Sequence, residues 1–243
     1  MRMHAVIPAY NEAECIESTV RSIHAHLPPD ATMTVVDDGS SDRTGAILDR
    51  LRGEGLLTVV RHLQNQGVRA AFESGLGAVL AHAAADDAVI LLEANGTSDP
   101  ALIGPLCAAI RRGDADVVIA SRSVPGGGWK NYPAHRILLS RGCNALLSAG
   151  IGLPGVADYS HFYRAYRAAK LKLALDHVAG HGPDDFSFNA YLLLRFPKET
   201  RYHEIPFVCD YGLKRSTSKL KPGRTIRSYL TILASENRLT RGR

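Results

Sequence analysis

The feature that most constrains this chain is an alternation. Short β-rich runs at Met3 to Pro8, Met33 to Asp37, Leu57 to His62, Ala88 to Leu92 and Asp116 to Ser121 are separated by stretches with helical patterning. Glu14 to Leu27 places Ile16, Val20, Ile23 and Leu27 at helical spacing, and Ser41 or Asp42 is positioned to cap a helix running to about Leu51. Strands that alternate with helices of this length predict a mostly parallel central sheet with helices on both faces.

Ligands of such sheets bind beyond the carboxyl ends of the strands, so the residues after each strand carry the functional reading. They are Pro8-Ala9-Tyr10-Asn11-Glu12 after the first, Asp37-Asp38-Gly39-Ser40 after the second, Glu93-Ala94-Asn95-Gly96 after the fourth and Arg122 after the fifth. The second half is less regular. Helices are expected at His135 to Ser148, Phe186 to Leu194 and Thr225 to Arg238, with a Gly/Pro break at Gly150 to Gly155 and a strand through Tyr202 to Pro206.

With 243 residues, 45% of them apolar, the chain can bury a sizeable core, and no linker divides it. A single domain follows, with residues 1–213 as its body and 214–243 as a basic tail whose amphipathic helix packs on it. That tail holds nine Lys/Arg against one acid, Glu236, and is +8, whereas the remainder is −3. Nucleic acid, anionic lipid or a phosphorylated substrate would each satisfy such a charge, as would plain solvation. No nucleic-acid-binding motif accompanies it, so nucleic acid is not expected as a partner. No apolar run is long enough to span a bilayer, and the four scattered cysteines suit reduced thiols, so a cytoplasmic location is expected.

The first strand ends without G-x-G-x-x-G, and G-x-x-x-x-G-K-S/T occurs nowhere, which excludes the Rossmann dinucleotide fingerprint and the P-loop. Val36-Asp37-Asp38-Gly39-Ser40 sets two carboxylates at a strand end, where Asp37 can accept hydrogen bonds from a base or ribose. A capped turn would use the same residues. Asn11 reads equally as a helix cap.

Taken together, A-Y-N-E and V-D-D-G-S-S-D-R-T resemble the opening of the family-2 inverting glycosyltransferases of the A-type fold, a Rossmann-like α/β domain. Leu92 to Pro100 resembles the D-A-D-x-x-x-D-P segment of dolichyl- and polyprenyl-phosphate mannose or glucose synthases, and Ala115 to Arg122 is similar to their A-D-V-V-x-G-S-R. The likeness continues through Gly126-Gly127, Arg136, Ser140-Arg141, Asn144, Phe162-Tyr163-Arg164, His203 to Phe207 and Ser218-Lys219-Leu220. It implies that Pro8, Tyr10, Glu12, Asp37, Asp38, Gly67 and Ala94 line a nucleotide-sugar site. It also implies that Glu93 and Asn95 lie beside the donor diphosphate and its Mg²⁺ or Mn²⁺. Arg122, Arg136 and Ser140 match positions that contact the acceptor phosphate, with Arg215 and Lys219 adding charge. The reaction implied is transfer of a hexose, from GDP-mannose or UDP-glucose, to polyprenyl phosphate. A lipid acceptor would make the chain a peripheral protein at the inner face of the membrane, held against anionic lipid by its tail.

Several positions depart from the family pattern. Glu93-Ala94-Asn95 replaces D-x-D, leaving one carboxylate and one amide carbonyl for a hard cation, so metal affinity should fall. Arg122 or Lys219 could then stabilise the leaving diphosphate instead. T-S-G-F-R appears as Tyr159-Ser160-His161-Phe162-Tyr163-Arg164, and Leu213 and Ser216 stand at the Arg and Gly positions of R-x-x-G-x-S-K. A phosphate acceptor is already anionic at pH 7, with a second pKa of about 6, and needs no general base. A hydroxyl acceptor would need one, and Asp184 or Asp185 is the candidate, Asp185 being carried forward as catalytic. Trp129 and Tyr132 beside Gly126 to Gly128 are expected in a flap over donor or lipid. The alternatives are a transferase of the same fold acting on a soluble hydroxyl acceptor, and a non-catalytic sugar-nucleotide-binding protein.

Overall fold

The computed structural model describes residues 1–214 and 222–241. Its strands are β1 (Met3–Ala9), β2 (Thr32–Asp37), β3 (Thr58–Arg61), β4 (Ala88–Leu91), β5 (Val117–Ser121), β6 (Gly128–Lys130), β7 (Arg164–Arg167), β8 (Tyr202–Pro206) and β9 (Val208–Asp210). The helices are α1 (Ile16–His26), α2 (Thr44–Gly53), α3 (Val68–Leu80), α4 (Ile103–Arg112), α5 (Ala134–Gly150), α6 (Ala168–Asp176), α7 (Phe188–Leu193) and α8 (Pro222–Arg241). Seven strands form one sheet in the order β3-β2-β1-β4-β7-β5-β8, and β6 pairs with β9 in a separate ribbon.

All neighbours in the large sheet are parallel except β7, which runs antiparallel between β4 and β5. The reading of a mostly parallel sheet with helices on both faces therefore holds. The period-2 geometry of a strand sends successive side chains to opposite faces, and the core divides accordingly. Ala5 and Ile7 of β1 join Ile16, Val20 and Ile23 of α1, Leu48 and Leu51 of α2 and Ile103 and Leu106 of α4. Val6 points the other way, into a layer with Phe72 and Leu76 of α3, Leu171 of α6 and Leu192 of α7. Each such buried aliphatic or aromatic side chain contributes about 1.5–3 kcal/mol, so two apolar layers suffice to hold the sheet between them.

Two glycines show how closely the site-bearing loops are packed. A Cβ on Gly75 would lie 2.7 Å from Val36 and 2.8 Å from Val6, so only glycine lets α3 approach the sheet here. Gly39 has φ +66°, and a Cβ there would meet the backbone of Gln64 at 2.3 Å, pressing the turn after β2 against the loop before α3.

At the carboxy-terminal end, α8 packs against α5 through Tyr229 and Ile232, both buried in the second apolar layer, whereas Ile226 and Leu230 are exposed. No described helix is long and apolar enough to cross a membrane. The two-stranded ribbon is where the expected flap lies: Trp129 sits in β6, and the guanidinium groups of Arg122 and Arg141 lie 5.6 and 5.1 Å from its ring centre. Strand pairing with β9 and these cations fix the ring in place of an open loop.

Candidate active site

A cleft of about 580 Å³ opens at the carboxyl ends of β1, β4 and β5, where the parallel-sheet rule puts ligands. Pro8, Tyr10, Glu12, Asp38, Gly67 and Ala94 line it on one side and Arg122, Arg136 and Ser160 on the other, while Asp185 follows Asp184, whose carbonyl lies beside Gly67. Residues expected from the sequence to share a site are thus brought together, most of them from loops, with Pro8 in β1 and Arg136 in α5.

On the first side the polar groups are held mainly by backbone amides. The Asp38 carboxylate accepts from the N–H groups of Gln66 and Gly67 at 2.8 and 3.0 Å and bonds to His62 Nδ1 at 2.7 Å, while His62 Nε2 reaches Ser74 Oγ at 2.9 Å. Asp38 therefore shapes the loop that carries Gly67 into the cleft. Asp37 differs from the expectation that it lines the nucleotide site. It is absent from the cleft wall because Oδ1 caps its own turn at Ser40 N, 3.0 Å away, and Oδ2 pairs with Arg61 at 3.3 Å. Asn11 does not cap α1 as one reading had it; with φ +51°, its carbonyl accepts from Ser41 N at 2.8 Å and stitches the two loops together. Glu12 accepts at Oε2 from the Cys15 thiol at 3.2 Å, and its own N–H donates to Thr44 Oγ1 at 2.8 Å.

The Glu93-Ala94-Asn95 element turns on a single hydroxyl. Thr97 Oγ1 lies 2.7 Å from Glu93 Oε2 and 2.6 Å from Asn95 Oδ1, and Thr97 N donates to the same Asn95 oxygen at 3.0 Å. Three oxygens converge at the cleft, one of them anionic. Among the described residues no three His, Cys, Asp or Glu side chains could hold a metal ion together. The oxygen set fits a hard divalent cation that takes its remaining ligands from a bound diphosphate.

The second side is built over long sequence separations around a residue that motif reading passed over, Asp158. Its fully buried carboxylate takes Arg122 Nε at 2.8 Å and Nη2 at 2.9 Å in a bidentate pair, and also accepts from Arg122 N, Asn144 Nδ2 and Ser160. Burial opposes the charge of this carboxyl, but the Arg122 guanidinium beside it prevails and holds it well below the usual carboxylate range. The same exchange, burial against Asp158, leaves the Arg122 pKa raised. Arg122 is therefore a neutralised cation and not a free one. Its Nη2 also donates to Ser160 Oγ at 2.8 Å, and that hydroxyl lies 3.3 Å from Ser140 Oγ. Ser140 thus meets the site through Ser160, which lines the cleft where Ser140 does not.

Arg136, one turn before Ser140 on α5, faces the cleft directly. Lys214 and Arg224 add positive charge to the rim. Arg215 and Lys219 lie outside the described residues. Asp185, the candidate base, is 7% exposed and already engaged: Oδ1 accepts from Ser187 N and Oγ at 2.9 and 2.6 Å, and Oδ2 from Ser228 Oγ of α8 at 2.8 Å. It ties α8 to the rim. Asp184 is exposed and pairs with Arg69 at 2.7 Å.

His161 is buried in the cleft wall next to this network, its ring 5.0 Å from that of Phe207. Burial, aided by Arg122, pushes its pKa well below the ordinary histidine value, so the imidazole is neutral at pH 7. Asp158 was legible only as an acid ahead of the altered S-H-F segment; nothing in local spacing ties it to Arg122, 36 residues earlier.

Comparison with known proteins agrees with this geometry. The polyprenol monophosphomannose synthase of Mycolicibacterium smegmatis is 34% identical over 74% of this chain and 68% of its own length. The dolichol-phosphate mannosyltransferase of Pyrococcus furiosus is 31% identical over 95% of this chain, which spans 62% of that protein's length. Among solved structures, glucosyl-3-phosphoglycerate synthase from Mycobacterium tuberculosis in complex with Mn²⁺, UDP and phosphoglyceric acid superposes with a TM-score of 0.70 at 19% identity, covering 96% of this chain and 77% of that one. At that identity the likeness establishes the A-type glycosyltransferase fold alone. The glycosyl transferase family 2 model matches residues 4–173, and with these relatives it makes the chain a member of that family and a glycosyltransferase.

Proposed function

We propose that this protein transfers a hexose, with inversion, from a nucleotide sugar of the GDP-mannose or UDP-glucose type to a polyprenyl phosphate. The observation that carries the reading is the composition of the cleft's second wall. It presents the guanidinium of Arg136, the rim cations Lys214 and Arg224 and the hydroxyl of Ser160, while of the two candidate bases that line the cleft Asp185 is engaged by two serines and Asp184 by Arg69. Such a wall suits an acceptor that arrives as an anion and has no proton to lose. The names of the relatives support the same acceptor class.

The donor's nucleoside would rest among Pro8, Tyr10, Glu12 and the loop held by Asp38, with its diphosphate toward Ala94. Glu93 and Asn95 are the residues that would hold Mg²⁺ or Mn²⁺, which when bound neutralises the diphosphate as it leaves. Arg122, fixed by Asp158, orients Ser160, and Arg136 supplies the charge that draws the acceptor phosphate into line. Asp37 serves this scheme as a turn residue, and Asp185 as an anchor for α8.

Residues 1–213 form the catalytic unit in this reading, and 214–243 an attachment segment. The exposed Ile226 and Leu230 beside Arg227 would meet an anionic membrane surface on the cytoplasmic side, where a lipid acceptor is presented. The test is to incubate the protein with labelled GDP-mannose or UDP-glucose, with and without Mn²⁺, and polyprenyl phosphate in detergent. A labelled lipid whose sugar is released by mild acid, as a glycosyl phosphodiester is, is the expected product. Transfer only to a soluble hydroxyl compound would overturn the lipid-phosphate reading. Nucleotide-sugar binding without transfer to any acceptor would favour a binding protein instead.

A further inference from the structure

The cation assigned to the acceptor phosphate does not stand alone. Arg136 Nη1 donates to the phenol oxygen of Tyr211 at 3.0 Å, and the centre of its guanidinium lies 5.4 Å from the Tyr211 ring centre. Tyr211 in turn packs on Tyr132, with ring centres 4.7 Å apart and planes at 54°. Both tyrosines line the cleft.

The ribbon of β6 and β9 is what holds these rings. Asp210, the residue before Tyr211, accepts from Gly212 N at 2.9 Å and Asn131 Nδ2 at 2.8 Å, and pairs with Lys130 at 3.0 Å. Asn131, with φ +55°, and Lys130 precede Tyr132. One part-buried carboxylate therefore locks the two tyrosine-bearing turns to each other, across 79 residues of sequence.

From this geometry we infer that Tyr211 is a positioning residue for sugar transfer, which sets Arg136 through its phenol oxygen and ring so that the guanidinium meets the acceptor phosphate. This rests on the acceptor reading given above. An arginine carries about 2 kcal/mol of rotamer entropy, and a guanidinium held at one nitrogen and packed along a ring loses less on binding a phosphate. Tyr211 would then contribute to recognition of an anionic acceptor and not to the donor.

The experiment is a double-mutant cycle on Tyr211→Phe and Arg136→Ala, with KM for polyprenyl phosphate, KM for the donor and kcat measured in each variant. Tyr211→Phe keeps the ring and its packing on Tyr132, and its melting temperature checks that the fold is intact. Expected is a rise of about 5- to 10-fold in the acceptor KM of Tyr211→Phe, as loss of one hydrogen bond of ordinary net strength would give, with the donor KM unchanged. In the Arg136→Ala background the same change should have no further effect. Equal effects of Tyr211→Phe in both backgrounds, or an unchanged acceptor KM with Arg136 intact, would overturn the inference. An Arg136→Ala variant with unaltered acceptor kinetics would instead defeat the acceptor assignment beneath it.

Discussion

The two walls of the cleft are made differently. On the donor side, Asp38, Asn11 and Asn95 spend their side chains on backbone N–H groups of nearby turns, so the wall is a set of loops held in shape by polar residues. On the acceptor side, Arg122, Asn144, Asp158 and Ser160 bond to one another over 14 to 38 residues of sequence, around a fully buried carboxylate. Turns held through neutral backbone N–H groups can change a residue without stranding a charge. A buried ion pair cannot, because removing one partner strands the other's charge. The substitution of D-x-D by Glu-Ala-Asn falls on the tolerant wall.

Breaking the acceptor wall should have the largest effect. Asp158→Ala leaves Arg122 buried and unpaired, and a loss of about 3–5 kcal/mol of stability is expected in urea unfolding. The pH dependence sharpens this. Because the folded pKa of Asp158 is lowered, its contribution is complete above the unfolded value of about 3.9 and is lost progressively as pH falls below it. The stability difference between wild type and Asp158→Asn should therefore be constant above about pH 5 and shrink in acid.

On the donor wall, Asn95→Asp restores a second carboxylate beside Glu93. A gain of about tenfold in Mn²⁺ affinity, roughly 1.4 kcal/mol, is expected by calorimetry in the presence of nucleoside diphosphate, with little change in unfolding midpoint. A loss of stability as large as that of Asp158→Ala would erase the contrast between the walls.

His161 offers a smaller probe of the acceptor side. Its folded pKa is depressed, chiefly by burial, so the unfolded chain takes up a proton first as pH falls. Its share of stability is present above about pH 6.5 and declines by about 1.4 kcal/mol per pH unit below that. His161→Gln should flatten this slope between pH 7 and 5.

The least effect is expected at α8, outside both walls. Arg227→Gln combined with Leu230→Ser should reduce co-sedimentation with anionic vesicles by about threefold to tenfold, on the order of 1 kcal/mol for the one charge lost, while unfolding is unchanged.

How much of this could be read in the sequence follows the same division. The strands β1, β2, β4, β5 and β8 were legible to within a residue, because each is a compact apolar run bounded by turn formers. β7 was not, since Arg-Ala-Tyr-Arg has no strand-like alternation, and its antiparallel place between β4 and β5 depends on partners 45 or more residues away. Tyr10, Glu12, Asp38, Glu93, Ala94 and Asn95 were legible as cleft residues because they follow strands closely, and Pro8 because it ends one, whereas Gly67 came from the family resemblance alone. Asp37 caps its own turn and pairs with Arg61, a role that looks the same in sequence as a ligand-binding carboxylate. Arg122 was found but its ion-pair partner was not, because Asp158 approaches it only in three dimensions.

The measurement that bears most directly on the account compares polyprenyl phosphate with the corresponding polyprenol as acceptors in the same micelles, for the wild type and for Arg136→Ala. Transfer to the phosphate alone is predicted, with kcat/KM falling about 100-fold in Arg136→Ala, roughly 2.7 kcal/mol of transition-state stabilisation. Equal transfer to the alcohol, or an Arg136→Ala variant as active as the wild type on the phosphate, would contradict it.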